Sequence, residues 1–180
     1  MLLTHESRSL HIAGTNEAAL VRAAQAGDRA AFGTLYTQFS RMIHGILLAH
    51  VPYADAEDLL QDVFVRAMEQ LRSLREPEAF GGWLASIARR AAFDHHRGAR
   101  PVADLPDGIP GGQSPDGEAF EVLAIIRGLP ESYRETLVFR LVEGMTGPEI
   151  AARTGITQGS VRVNLCRGMK LLREQLEAKR

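Results

Sequence analysis

The segment from Thr146 to Lys170 reads TGPEIAARTGITQGSVRVNLCRGMK. Its first four residues have the Thr-x-x-Glu form of a capping box, with Pro148 in the first turn, where its missing N–H is harmless. Ala151 and Ala152 are small and leave room for a close crossing. Gly155 permits a tight turn because positive φ costs it no steric strain. Thr157 can then cap a second helix. On a helical wheel Val161, Leu165, Met169, Leu172 and Leu176 point inward, while Arg162, Val163, Cys166, Arg167 and Lys170 lie on the other side. This is the layout of a helix-turn-helix, and an exposed basic stripe on its second helix is what reading a major groove requires. A helical hairpin with a solvated charged face has the same pattern, so the segment alone leaves both readings open.

Upstream of this segment the periodicity is also helical, and nothing alternates with the period of two that marks a half-buried strand. A first stretch, Glu17 to His50, breaks near Gly27-Asp28. Asp28 is placed to cap the part holding Phe32, Leu35, Tyr36, Phe39, Met42, Ile43, Ile46 and Leu47, which share one apolar face. Pro52 interrupts. A second stretch, Ala54 to Leu74, turns Leu60, Phe64, Ala67, Met68 and Leu71 inward. Asp55, Glu57, Asp58 and Asp62 crowd its start, where acids suit the positive end of a helix dipole. A third, Phe80 to Arg97, buries Phe80, Trp83, Leu84, Ile87, Ala88 and Ala91 and ends in basic residues and histidines. Residues 98–117 are dominated by Pro, Gly and Asp and read as a linker. Beyond it, Phe120 to Arg127 opens a further helical stretch. Leu129-Pro130 starts a helix with Tyr133, Thr136, Leu137, Phe139 and Leu141, and Gly144 ends it.

Composition bounds the function. The chain has 180 residues, 21 Lys plus Arg against 22 Asp plus Glu, and one cysteine. The single cysteine excludes an internal disulfide framework. No apolar run approaches the ~18 residues of a membrane span, and the first residues lack the pattern of a signal peptide, so a soluble cytoplasmic protein is expected. Charge is segregated: residues 153–180 carry seven positive and two negative side chains, and residues 101–120 carry four acids with no Lys or Arg. There is no Gly-rich phosphate loop, no Gly-x-Ser-x-Gly and no His-Glu-x-x-His. His95-His96 is adjacent rather than a helical turn apart. No catalytic residue, metal or cofactor is expected.

Four pieces in order resemble a bacterial RNA polymerase sigma factor of the extracytoplasmic-function group, in the sigma-70 family. Asp55 to Phe64 (DAEDLLQDVF) is similar to its core-polymerase-binding helix. Phe80 to Arg90 (FGGWLASIARR), continuing through Asp94 to Arg97, is similar to its promoter-melting helix. Leu129 to Arg134 (LPESYR) resembles the start of region 4. Gly144 to Ala151 and Gly159 to Arg162 resemble region 4.2. The resemblance implies an all-α chain of two small helical domains, σ2 and σ4, joined by a flexible linker. The divisions are a tail (1–16) expected to be disordered, sigma region 2 (17–97), the linker (98–117) and sigma region 4 with the helix-turn-helix (118–180).

The resemblance also implies partners: the β′ and β subunits of core RNA polymerase, promoter DNA and a cognate anti-sigma factor, without membrane insertion. Core binding falls to Asp55, Asp58, Leu59, Gln61, Asp62 and Phe64. The −10 element falls to Arg75, Glu76, Glu78, Trp83, Arg89, Arg90, Asp94 and Arg97, with Trp83, Arg89 and Arg90 on one side of their helix. The −35 element falls to Thr157, Gln158, Ser160, Arg162, Val163, Cys166, Arg167 and Lys170. Val163-Asn164 stands where the family often has Ser-Arg, and Gly168-Met169 where it often has Ala-Arg. A near-zero net charge fits weak DNA binding by the free chain, with polymerase supplying the rest. A stand-alone helix-turn-helix regulator and a sigma-like decoy that sequesters a partner are the alternatives.

Overall fold

A computed structural model of the chain describes residues 16–98 and 115–179. Nearly all of the expected tail and linker therefore lies outside the described residues. What is described is helical, with no strand among the described residues. In chain order the helices are α1 (16–25), α2 (Arg29–Leu48), α3 (Tyr53–Gln70), α4 (Phe80–Gly98), α5 (Pro115–Gly128), α6 (Glu131–Leu141), α7 (Gly147–Thr154) and α8 (Gln158–Ala178). Two 3-10 turns, Leu71–Ser73 and Pro77–Ala79, bridge α3 and α4. Among the described residues no helix is long and apolar enough to cross a membrane.

The local chemistry sets the boundaries. Asp28 accepts hydrogen bonds from the Ala30 and Ala31 amides at 2.8 and 3.0 Å, which starts α2 where Gly27, at φ 100°, ends the turn out of α1. Pro52 and Pro130 sit at the N-caps of α3 and α6. The capping box closes as the sequence predicts: the Thr146 amide donates to the Glu149 carboxylate at 2.7 Å, and the Glu149 amide donates back to the Thr146 hydroxyl at 3.4 Å. Gly155 ends α7 at φ 74°, and Thr157 caps α8 by accepting from the Ser160 amide at 3.1 Å. Thr146→Ala removes one cap and is expected to lower the unfolding free energy by about 1 kcal/mol, read as a shift of the urea midpoint at unchanged slope.

α2, α3 and α4 pack on one another around Leu35, Phe39, Ile43, Val63, Phe80 and Leu84. Phe39 and Phe80 meet edge to face, 5.2 Å between centroids. α5, α6 and α8 form a second group, with α7 lodged against α6 and α8. The two groups are docked: α6 lies on α2, α7 touches α4, and one continuous apolar core runs through both. Each small group would bury little apolar surface alone; here each completes the other's core.

The inward assignment of Met68 fails. Met68 is 55% exposed because α3 turns Leu59, Val63 and Ala67 to the core instead. Tyr36, placed on the apolar face of α2, is 40% exposed. Gly168 has a packing reason. A Cβ there would stand 3.0 Å from Leu137 Cδ1 and 3.1 Å from Tyr133 Cβ, so the glycine lets α8 lie close on α6.

Candidate nucleic-acid and polymerase interface

The structure separates three surfaces. The first is the outer face of α3. Asp58, Gln61 and Asp62 are exposed on it. Asp55 is less free, since His95 Nε2 donates to its carboxylate at 3.2 Å. Leu59 and Phe64, named as polymerase contacts by resemblance, are only 9% and 4% exposed and face the core; for Phe64 this is the inward place its periodicity gives. Phe64 packs against Tyr36, 4.6 Å between centroids. Beside the acids, Tyr36, Arg41, His44, Glu57, Leu60 and Gln61 line an open groove of about 370 Å³.

The second surface combines the 71–79 segment with α4. Gln25 of α1 donates to the carbonyls of Leu71 and Leu74 at 3.0 and 2.8 Å, and Arg22 pairs with Glu78 at 2.7 Å. These contacts pin the loop that carries exposed Arg75 and Glu76. The hydrogen bond at its own backbone, then the one from Arg22, hold the Glu78 carboxyl below its ordinary range. At ~100° per residue Trp83, Arg90, Asp94 and Arg97 fall on one stripe of α4. Trp83 is half-buried against Phe80, 5.8 Å between centroids, and Arg90, Asp94 and Arg97 are exposed. Arg97 lies over the exposed Phe93 ring, 5.8 Å from its centroid.

Arg89 departs from the expected grouping, because its position is ~120° around the helix from Trp83. It points across to α6. Arg89 Nε and Nη2 donate to the two oxygens of Glu135, both at 2.8 Å, and His50 Nε2 donates to the same carboxylate at 3.2 Å. Burial of Glu135 opposes its ionisation, but the hydrogen bonds from Arg89 and His50, with their charge, outweigh it and hold the carboxyl down at about 2. Arg89 is correspondingly pushed above its ordinary value, chiefly by the same hydrogen bond.

A depressed carboxyl stabilises the fold fully above its unfolded value near 4.5 and loses that contribution as pH falls toward about 2. The Glu135 side chain is 18% exposed but that of Arg89 is 44% exposed, so solvent screens part of the pairing. Between about pH 5 and pH 3 the wild type is expected to lose about 1 kcal/mol of unfolding free energy that Glu135→Gln does not lose. Urea titrations of both proteins at the two pH values read this directly.

The third surface is α8. Thr157, Gln158, Ser160, Arg162, Val163, Cys166, Arg167 and Lys170 are all exposed, while Val161 and Leu172 are buried against the rest of the fold. Lys170 stands 3.9 Å from Glu174, and neither Arg162 nor Arg167 is paired with an acid among the described residues.

Four polar residues at the seam escaped the sequence reading: His44, His50, Glu135 and Glu143. Glu143, 8% exposed, receives His44 Nδ1 at 2.9 Å and has Arg41 Nε at 3.6 Å. The available signal was the run Thr136-Leu137-Val138-Phe139. Four consecutive buried positions exceed one helix face and mark a helix covered on two sides.

Comparison with known proteins identifies the family of the chain. A family model described as Sigma-70 region 2 matches residues 35–102, and one described as Sigma-70, region 4 matches residues 119–172. The chain is 29% identical over 166 residues to the ECF RNA polymerase sigma factor BldN of Streptomyces coelicolor; the match covers 85% of this chain and 63% of that relative. It is 27% identical over 177 residues to the ECF RNA polymerase sigma-E factor of Escherichia coli (strain K12), covering 88% of this chain and 93% of that protein. Among solved structures, that of CnrH in complex with the cytosolic domain of CnrY aligns with a TM-score of 0.59 at 25% identity, over 92% of this chain and 99% of that one. These matches run through both helix groups in the order the motifs predict, and the chain belongs to the sigma-70 family of RNA polymerase sigma factors, in its extracytoplasmic-function group.

Proposed function

We propose a division of labour for the chain as the subunit that binds core RNA polymerase and directs promoter-specific initiation. Residues 17–97 work as the polymerase- and −10-binding unit, and residues 118–180 as the −35-binding unit. The exposed acids of α3 (Asp58 and Asp62, with Gln61 and partly engaged Asp55) meet a basic coiled coil of the β′ subunit. Arg75 and Glu76 on the pinned loop, with the stripe Trp83, Arg90, Asp94 and Arg97, hold the opened −10 strand by phosphate contact and stacking. α8 enters the −35 major groove, with Arg162 and Arg167 donating to base edges or phosphates. The chain recruits, positions and helps melt DNA, performs no covalent chemistry, and works in the cytoplasm. A cognate anti-sigma partner is carried over from the family, in which CnrH has been solved with the cytosolic domain of CnrY.

The observation that carries this reading is the α8 basic stripe, exposed along its length on the second helix of a helix-turn-helix, in one chain with the bare acids of α3. Run-off transcription with purified core polymerase, with and without the protein, on a genomic promoter library tests it. New start sites sharing −10 and −35 sequences are the expected result. Core binding without new transcripts would make the chain a decoy. Absence of core binding would leave a stand-alone regulator.

A further inference from the structure

We propose that Gln25 of α1 is a positioning residue for −10 discrimination. Its side-chain amide sets the place of segment 74–78, which carries Arg75 and Glu76, without itself meeting DNA. This rests on the −10 role given to that segment above.

Ala18 and Val21, 2% and 0% exposed, seat α1 on the core. Arg22 and Gln25, three residues apart and so neighbours on one helix face, reach the two ends of the segment. Gln25 Nε2 donates to the Leu71 carbonyl at 3.0 Å and to the Leu74 carbonyl at 2.8 Å, which engages both of its hydrogens on the stretch that leaves α3. Arg22 holds Glu78 at the far end, 2.7 Å away. Arg75 and Glu76 stand exposed between the two anchors. The anchors are unequal. The Arg22 and Glu78 side chains are 57% and 63% exposed, where an ion pair holds weakly and salt screens it. The Gln25 bonds are partly buried and uncharged, so salt leaves them in place, and without them the Leu74 carbonyl must move to find another donor. The segment has its own bonds: the Leu74 amide donates to the Leu71 carbonyl at 3.2 Å, and the Ala79 amide to the Glu76 carbonyl at 2.9 Å. Those lie within each turn, whereas the Gln25 amide ties the first turn to a separate helix. Groups that read a base must be held to about 0.5 Å by the side chains behind them.

The test uses the full chain with core polymerase, on the promoter the wild type selects, randomised separately at its −10 and −35 positions. The wild type, Gln25→Met, Gln25→Glu, Gln25→Lys and Arg22→Ala are compared by sequencing barcoded transcripts. Methionine keeps the length and removes the donors, glutamate sets a carboxylate against two carbonyls, and lysine restores N–H donors. All three are good helix formers, so α1 keeps its helix. Preference among −10 bases is expected to fall about tenfold or more in Gln25→Met, further in Gln25→Glu, and to recover in part in Gln25→Lys. Arg22→Ala should lower it by about twofold. The −35 preference and core binding should hold in every variant. A uniform loss of yield with −10 preference kept, an equal loss of −35 preference, or a Gln25→Lys protein no better than Gln25→Met would each overturn the proposal. Amide hydrogen exchange of the free chain gives a readout without polymerase: the Leu74 amide should exchange about fivefold faster in Gln25→Met, and unchanged exchange would also overturn the proposal. Failure of the wild type to initiate with saturating core would instead sink the −10 reading of the segment, and the exchange result would still decide whether Gln25 holds it.

Discussion

Replacing Arg162 and Arg167 together with alanine is expected to abolish promoter-directed initiation while core binding stays intact. Both side chains are exposed on α8, so truncation removes no packing and breaks no ion pair among the described residues. Each contact to a base edge or phosphate is worth roughly 1–3 kcal/mol, so losing two weakens −35 engagement by about 30-fold or more. Run-off yield at limiting protein, alongside native-gel binding to core, separates the two effects. Unchanged transcription would mean that Arg162 and Arg167 are a solvated face and do not carry −35 recognition. Because the fold does not use these arginines, the thermal midpoint should hold while transcription collapses.

Removing the acids of α3 should have an equally large effect of opposite physical character. Asp58 and Asp62 stand four residues apart on one exposed helix face, where like charges repel by a few tenths of a kcal/mol, and aspartate is a poorer helix former than alanine. Asp58→Ala/Asp62→Ala is therefore expected to raise stability slightly. The same change should weaken binding to core polymerase by about 100-fold, as loss of two charges facing a basic partner does. Pull-down or anisotropy with purified core, paired with urea unfolding, reads both signs. A stability gain with no loss of core binding would place the polymerase contact elsewhere. A pair of acids that costs the isolated helix stability is explained by what it meets outside the chain.

The local structure was legible because single residues decide it. Asp28, Pro52, Thr146, Gly155 and Thr157 each start or stop a helix by a short-range rule, and each does so in the structure. The exposed stripe on α8 followed from one clean period. The α3 face was half legible. The acids sit outside, but the family motif put Leu59 and Phe64 among the polymerase contacts, while both are buried and Phe64 packs on Tyr36 of α2, as its periodicity predicts. The grouping of Arg89 with Trp83 failed on the geometry of the turn, since neighbours in sequence are not neighbours on a helix. The seam was missed because pairing between distant helices leaves no local mark. The runs Gly45 to Ala49 and Thr136 to Phe139, each buried at every position, signal a second covered side. Which run covers which is a tertiary fact.

The apolar core that runs through both helix groups has a consequence for how the molecule folds. A core shared across the seam makes unfolding of one helix group expose apolar surface of the other, so the two lose structure together. The intact chain is therefore expected to melt in one calorimetric transition, with van't Hoff and calorimetric enthalpies in agreement. Either helix group expressed alone exposes the partner's seat and melts earlier. Cooperativity then becomes a ledger of mass action: any partner that inserts between the groups must match the apolar contact it displaces, and one that does so stabilises the chain in proportion to how tightly it holds the separated form.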